Sequence, residues 1–270
     1  MSTVIYPSPI FGPVHSRRLG ISLGINLMPP DGKVCTFDCI YCECGFNADR
    51  RPRLPRPTRP EVKTALETQL QKMKAEDMLP DVLTFAGNGE PTAHPDFLGI
   101  VQDTIALRDN YCPKAKVSVL SNATLITRPQ VFEALKLVDN NILKLDTVCP
   151  EYIRAVNRPT GRYDVRELIG KMKEFRGHVI VQTMFMHDNS QNVRESGSPE
   201  VGAPCPADNV KEEFIAPWLD AIKEIRPQQV MIYTIDRETP DRNLSKATRE
   251  ELDSIVERIQ AFGIPATASY

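Results

Sequence analysis

The stretch GISLGINLMPPDGKVCTFDCIYCECG, Gly20 to Gly45, joins an apolar run to a loop that holds four of the chain's seven cysteines. Residues 20–27 are almost continuously apolar, as is typical of a strand that is covered on both faces. The cysteines begin a few residues after this run. We therefore expect a buried strand whose carboxyl end leads into a loop that carries the chemistry of the protein.

The same arrangement continues along the chain. Five further apolar runs span residues 82–86, 116–120, 142–148, 178–186 and 229–235. Segments of helical period separate them, and three helix starts are predicted from capping-box patterns, at Thr58/Glu61, Thr127/Gln130 and Thr248/Glu251. Six strand-then-helix units predict an α/β fold, a partial (β/α)6 TIM-type barrel with parallel strands. A flat doubly wound sheet is the alternative.

Length and composition predict one domain over residues 1–270. The chain is 41% hydrophobic and 25% charged, and no Gly/Ser-rich or charged linker divides it. We expect an N-terminal segment with the first strand (1–28), the cysteine loop with an Arg/Pro-rich segment (29–60), and the remaining βα units (61–270). The net charge of -2 gives no global preference for nucleic acid or membrane, so such a partner must meet a local patch.

The sequence also predicts a cytoplasmic protein without a membrane partner. Its N-terminus lacks the pattern of a secretory signal, and no window approaches the ~18 apolar residues of a membrane span. In that compartment, an odd number of cysteines with four in a cluster favours thiolate ligation over a disulfide framework.

Three of the clustered cysteines, Cys35, Cys39 and Cys42, have the spacing C-x3-C-x2-C. Three thiolates this close can ligate an iron–sulfur cluster, and a metal site that performs chemistry keeps one position open. A fourth ligand would close the site, and Cys44 is the candidate for it. The alternative is therefore a non-catalytic iron–sulfur or zinc-binding module.

Through these three cysteines, the chain resembles the radical S-adenosylmethionine (SAM) superfamily, whose signature is C-x3-C-x-aromatic-C. Tyr41 stands at the aromatic position, and GNGEPT (87–92) resembles the family's GGEP, with Asn88 in place of the second glycine. The resemblance implies a 4Fe–4S cluster that cleaves SAM to a 5′-deoxyadenosyl radical. It also implies an external reductant protein of the flavodoxin or ferredoxin type.

The resemblance further implies which residues bind SAM. Glu90 would accept the SAM ammonium, and Tyr41 would form a wall for the adenine. The complete set of implied contacts is Tyr41, Gly87, Asn88, Gly89, Glu90, Ser121, Asn122, Asp146, Gln182 and Tyr233. Plain alternatives remain: Ser121 and Asn122 could cap a loop, Asp146 could pair with Lys144, and Tyr233 could serve packing alone.

Within the superfamily, the chain is similar to the tRNA wyosine synthetase branch. The matching stretches include FGPVHSRRLGISLGIN, CTFDCIYCECG, GNGEPT and SNAT. That branch holds a second cluster with three upstream cysteines, whereas this chain has none before Cys35, so its two-cluster reaction is not carried over. RNA is the favoured substrate, and radical activation of a protein or peptide is the competing reading.

Two other features each have more than one possible role. Cys149 and Cys205 follow the fourth and fifth strands, so each is a candidate hydrogen-atom donor or auxiliary ligand, or else a bystander thiol. The segment RRPRLPRPTRP (50–60) holds five arginines and four prolines without an acid. Together with Arg17 and Arg18, it could lie along a phosphate backbone, or it could be a solvated linker whose arginines pair with surface acids.

Overall fold

The computed structural model describes residues 4–16, 20–189 and 207–270. The chain divides into two compact units. The N-terminal unit comprises Val4–Thr36 and Asn47–Leu143, and the C-terminal unit comprises Phe37–Phe46 and Lys144–Tyr270. A single domain over residues 1–270 stays a prediction.

The strands of the N-terminal unit form a mostly parallel array. Strand β1 (Ile10–Ser16) pairs antiparallel with β2 (Gly20–Ile25). Parallel pairing then runs from β2 through β3 (Val82–Phe85) and β4 (Lys116–Ser121) to β5 (Asn140–Lys144). Every residue of β3 is buried, as its continuous apolar sequence predicts. Four predicted strands are thereby confirmed, while β1 was not among them.

The helices of this unit are α1 (Arg59–Ala75), α2 (Phe97–Tyr111) and α3 (Pro129–Leu137). The capping box before α1 is confirmed, because Glu61 Oε2 accepts hydrogen bonds from the backbone N and hydroxyl of Thr58. The start predicted from Thr127 and Gln130 is wrong. Arg128 is the N-cap and Pro129 takes the first helical position, for which its fixed φ is already suited.

The C-terminal unit has a second parallel array, in the order β6 (Ile180–Met184), β8 (Gln229–Tyr233), β10 (Ala266–Ser269). A separate antiparallel pair joins β7 (Met186–Asp188) to β9 (Leu244–Lys246). The apolar runs at 178–186 and 229–235 are thus confirmed as strands. The short β7, β9 and β10 were not predicted.

The helices of the C-terminal unit begin with α4 (Pro150–Tyr152), which continues into a π-helix at Ile153–Asn157. Three longer helices follow: α5 (Val165–Lys173), α6 (Glu212–Ile225) and α7 (Arg249–Gln260). The predicted cap of α7 is confirmed, since Thr248 and Glu251 exchange hydrogen bonds between side chain and backbone.

The predicted α/β fold with mostly parallel strands is confirmed in both units. Each parallel connection between neighbouring strands contains at least one helix, which is how parallel strands are joined in general. Across the three described ranges, no helix has both the length and the apolar character needed to cross a membrane.

Candidate active site

The loop that carries Cys35 is fixed to the GNGEPT loop in the N-terminal unit. Val34 N donates to Asn88 O at 2.9 Å, and Glu90 N donates to Val34 O at 3.1 Å. On the other side, Asn47 brackets Cys35, because Cys35 N donates to Asn47 Oδ1 and Asn47 Nδ2 donates back to Cys35 O, both at 3.2 Å. The backbone of this cysteine is therefore held from two directions.

The glycines of GNGEPT permit this close approach. Gly89 has a φ of +141°, and a Cβ there would lie 1.8 Å from Val34 O. Gly87 has a φ of +123°, and a Cβ would lie 2.7 Å from the Asn26 side chain. A larger residue would clash with backbone at Gly89 and with the Asn26 side chain at Gly87, and both positive φ angles favour glycine.

Asn88, where the family motif has glycine, performs a different task. Its side chain is fully buried, and its Nδ2 donates to Tyr6 O at 2.8 Å and to Pro29 O at 2.9 Å. It thereby ties the N-terminal segment to the loop after β2. The predicted contact of Asn88 with SAM stays a prediction.

Glu90 is a buried carboxylate with 1% exposure. Oε1 accepts from Thr92 N, Thr92 Oγ1 and Ser121 Oγ, at 3.0, 2.5 and 2.8 Å. Oε2 accepts one bond from the described residues, from Asn122 N at 2.7 Å. Burial raises the pKa of this carboxyl above its ordinary value, against the opposing effect of its donors.

The end of β4 brings a side-chain donor to the first cysteine. Asn122 Nδ2 lies 3.5 Å from Cys35 Sγ and 2.9 Å from Thr36 Oγ1. Its Oδ1 accepts from Thr124, which fixes the orientation of the amide. Cys35, Glu90, Ser121 and Asn122 thus form one connected group in the N-terminal unit.

In the C-terminal unit, Cys39 is 7% exposed and has its own amide donor. Asn157 Nδ2, at the end of the π-helix, lies 3.8 Å from Cys39 Sγ. The following turn brings Cys42 N within 3.2 Å of Cys39 O. Burial raises the pKa of the Cys39 thiol to about 11.

A polar cluster surrounds Asp146 in the same unit. Oδ2 accepts from the Tyr41 hydroxyl and from Asn157 Nδ2 at 2.8 Å, and Oδ1 accepts from Met184 N at 3.0 Å. Lys144 Nζ lies 3.8 Å from Oδ1 and donates to the Tyr233 hydroxyl at 2.7 Å. Tyr41, Asp146 and Tyr233, all predicted site residues, therefore meet around one lysine.

Burial also controls ionisation in this cluster. Burial raises the pKa of Tyr41 well above its ordinary value, and the Asp146 charge raises it further. Burial lowers the pKa of Lys144, but Asp146 and Tyr233 raise it by more, so its net pKa lies above the usual range. The ammonium lies 5.1 Å from the centroid of the Tyr41 ring and 5.3 Å from that of Tyr233.

The remaining predicted residues are Gln182, Cys149, Cys44 and Cys205. Gln182 is buried on β6, where its backbone O accepts from Leu145 N. Cys149 precedes α4 and its Sγ lies 3.4 Å from Glu151 Oε2. Cys44 is buried. Cys205, like Arg17 and Arg18, lies outside the described residues.

Sequence reasoning missed Asn157 and Asn47 and treated Lys144 only as a possible partner of Asp146. A lysine within the apolar run ILKLD was the available signal, because residues two apart on a strand share a face. The two asparagines carried no such signal. Asn157 reaches Cys39 across 118 positions of sequence, which no local pattern reports.

The donors present fit an iron–sulfur cluster. Amide N–H groups directed at thiolate sulfurs are a common feature of such centres, and here Cys35 and Cys39 each have one. Within the part of the chain that the structure describes, no three His, Cys, Asp or Glu side chains form a group that could hold a single metal ion.

Comparison with known proteins agrees with this chemistry. The family model described as the Radical SAM superfamily matches residues 30–196. A UPF0026 protein of Helicobacter pylori is 31% identical over 232 residues, which cover 84% of this chain and 66% of that protein. The chain spans about half to two thirds of the length of such curated relatives.

Two solved structures have the same fold. A radical SAM methyltransferase from Sphaerobacter thermophilus matches with a TM-score of 0.63 at 12% identity, covering 92% of this chain and 66% of that one. SuiB of Streptococcus suis, bound to its precursor peptide SuiA, matches with a TM-score of 0.61 at 16% identity, covering 92% and 48%. The α/β fold predicted from the strand pattern is that of these proteins.

Proposed function

Because the chain belongs to the radical SAM superfamily, we propose that it is an enzyme that cleaves SAM reductively at a 4Fe–4S cluster. The observation that carries the proposal is the C-x3-C-x2-C motif within the matched region, with an amide donor at two of its sulfurs. When bound, the cluster supplies one electron that splits SAM into methionine and a 5′-deoxyadenosyl radical. Cys35, Cys39 and Cys42 would hold it.

The buried carboxylates keep the residues around the cysteines in place. Glu90 joins the GNGEPT loop to the end of β4, and Asp146 joins Tyr41 to β6. Hydrogen-bond donors around Glu90 and Asp146 already occupy most acceptor positions of the two carboxylates. Neither carboxylate therefore needs to rearrange to stay buried. We propose that these two networks fix the cysteine loops before any ligand arrives.

For SAM itself, we propose the contacts implied by the family motifs: Tyr41, Gly87, Asn88, Gly89, Glu90, Ser121, Asn122, Asp146, Gln182 and Tyr233. Glu90 supports this assignment in one respect. A carboxylate oxygen has two acceptor positions, and Oε2 uses one of them for Asn122 N. The second is suited to an ammonium, which would form a charge-assisted hydrogen bond there.

For the substrate, we propose RNA, on the similarity of sequence stretches such as CTFDCIYCECG and SNAT to the tRNA wyosine synthetases. A peptide or protein is the second candidate, because the related fold of SuiB binds a precursor peptide. The two are separated by following deuterium into 5′-deoxyadenosine. Label arriving from deuterated RNA supports the first, and label arriving only from a deuterated protein fraction contradicts it.

The proposed location of the protein is the cytoplasm.

The cluster assignment is tested with single alanine variants of Cys35, Cys39 and Cys42. Each is expected to lose cluster iron, visible absorbance and SAM cleavage after anaerobic reconstitution. Cys112→Ala is the control, because that thiol is buried at the end of α2 and should leave all three properties unchanged. Full cluster content in any of the three variants would contradict its role as ligand.

The same samples test the non-catalytic alternative. A module with four protein ligands should require Cys44, whereas the proposed enzyme should keep its cluster and its SAM cleavage in Cys44→Ala. A wild-type protein that binds only zinc, or that never cleaves SAM with dithionite, would overturn the proposed enzyme.

A further inference from the structure

The Arg/Pro-rich segment is held in a defined conformation within the N-terminal unit. The Asp31 carboxylate accepts the backbone N–H of Arg53 at 2.8 Å and that of Leu54 at 3.2 Å. Gly32 lies so close to the segment that a Cβ would be 2.5 Å from Arg50 O. With four prolines limiting its φ angles, the segment is a stiff surface feature.

The five arginines divide into two groups. Arg56 donates to Ala93 O at 3.1 Å, and Arg59 binds both oxygens of Asp103 at 2.7 and 3.0 Å. These two anchor the segment, as the linker interpretation predicted. Arg50, Arg51 and Arg53 are exposed, and no hydrogen bond or ion pair of their side chains occurs within the described ranges.

An exposed apolar side chain directly follows the three exposed arginines in the sequence. Leu54 is 53% exposed at the point where Asp31 turns the chain. We call Arg50, Arg51, Arg53 and Leu54 the arginine ridge. Exposed arginines next to an exposed apolar side chain are typical of protein interfaces. Contacts to phosphates use hydrogen-bond donors, and the leucine would have no partner in them. The ridge therefore favours an acidic protein over RNA.

The ridge is also hydrogen-bonded to the backbone that precedes Cys35, the first of the proposed cluster ligands. Lys33 N donates to Arg50 O at 3.2 Å, two residues before Cys35. At the other end of the loop, Asn47 holds the backbone of Cys35 three residues before the ridge begins. A protein docked on the ridge would thus contact the segment that leads to this cysteine.

We propose that the arginine ridge is the docking surface for an acidic one-electron donor protein that carries a flavin or an iron–sulfur centre. The inference rests on the proposed function, because reductive cleavage of SAM consumes one electron per event. The donor is oxidised by one electron as the cluster is reduced by one. Opposite charges accelerate such encounters, and a stiff surface loses little entropy on binding.

The test uses the reconstituted protein and a bacterial flavodoxin. The variant carries Arg50→Ala, Arg51→Ala and Arg53→Ala, and the control carries Lys72→Ala, Lys114→Ala and Lys116→Ala, three exposed lysines of the same unit. We expect the ridge variant to raise the Kd for flavodoxin about tenfold or more at low salt, and the control to change it less than about twofold.

SAM cleavage gives a second measurement with two reductants. Flavodoxin-driven cleavage should slow in the ridge variant, while dithionite-driven cleavage should equal wild type, since dithionite needs no docking surface. Leu54→Ala should weaken binding without changing its salt dependence.

Unchanged flavodoxin binding in the ridge variant would overturn the proposal. So would loss of RNA binding with flavodoxin binding intact, which would assign the ridge to the substrate. These outcomes are independent of the proposed function. That function fails if wild-type protein does not cleave SAM with dithionite.

Discussion

Lys144 Nζ lies 3.8 Å from Asp146 Oδ1, on side chains that are 16% and 1% exposed. Removing one member of a buried ion pair leaves the other charge without its counterion. We expect Lys144→Met to lower the free energy of unfolding by about 3 kcal/mol, measured by urea denaturation. Lys144→Met combined with Asp146→Asn should recover part of that loss, because asparagine removes the unpaired charge but keeps only one of the two acceptor oxygens. A double variant no more stable than the single one would contradict this role.

The amide of Asn122 should tune the reduction potential of the cluster. A donor to a cluster sulfur stabilises the more negative, reduced state, so Asn122→Ala should lower the potential. One hydrogen bond is worth about 1 kcal/mol, which corresponds to roughly 40 mV for one electron. A spectroelectrochemical titration measures the shift.

Thr124→Val is the matched control for that titration. It removes the hydroxyl that bonds to Asn122 Oδ1, but the backbone N–H of Thr124 still bonds to that oxygen and keeps the donor to sulfur in place. Its potential should stay near that of wild type. If the reduction potential shifted equally in Asn122→Ala and Thr124→Val, the hydrogen bond from the amide to sulfur would not be the cause, and a change in the loop structure would be.

Gly89 should be intolerant of any side chain. In Gly89→Ala, the new Cβ would meet Val34 O, so the bridge between the GNGEPT loop and the Cys35 loop should open. We expect reduced iron content after reconstitution and a lower melting temperature. Gly170→Ala is the control, because its Cβ meets nothing within 4 Å and an alanine within α5 should stabilise the helix.

Glu90 should make stability depend on pH with a definite sign. Its folded-state pKa is raised by burial, so its contribution is fully present below the ordinary value of 4.5 and is lost as the pH rises through the folded pKa. Glu90→Gln cannot titrate. The difference in unfolding free energy between wild type and this variant should therefore shrink from acidic to neutral pH.

Glu61 offers the opposite case in the same unit. Its hydrogen bonds to Thr58 lower its pKa, so its contribution is present above the unfolded value and is lost as the pH falls. The difference in unfolding free energy between wild type and Glu61→Gln should therefore grow from acidic towards neutral pH. Parallel trends in the two variants would contradict the assigned signs.

Much of the fold could be predicted from the sequence because the buried parallel strands are long apolar runs. Strand β1 was missed since Pro13 lies in its interior, and a proline there argues against a strand. Strand β10 was missed because its sequence, ATAS, is small and weakly apolar. The start of α3 was placed too early because Pro129 outweighs a threonine cap.

For the candidate site, the sequence indicates some positions, and their contacts with a cluster or SAM stay predictions. Motif glycines and residues at strand ends could be found, because their positions follow from the order of strands. The polar partners could not, since Asn157 and Asn47 act through side-chain amides whose targets depend on tertiary packing. The arginines of the ridge were visible from the start, but only their contacts separated anchors from exposed charges.

The π-helix at Ile153–Asn157 sets the register of one cysteine loop. Its last two carbonyls, of Val156 and Asn157, accept the N–H groups of Ile40 and Asp38 at 3.0 and 2.9 Å. A π-turn holds one residue more than the α-helical path, and each helical residue turns by about 100°. Deleting one residue there would rotate Asn157 away from both Cys39 and Asp146. The segment can therefore change in sequence far more readily than it can change in length.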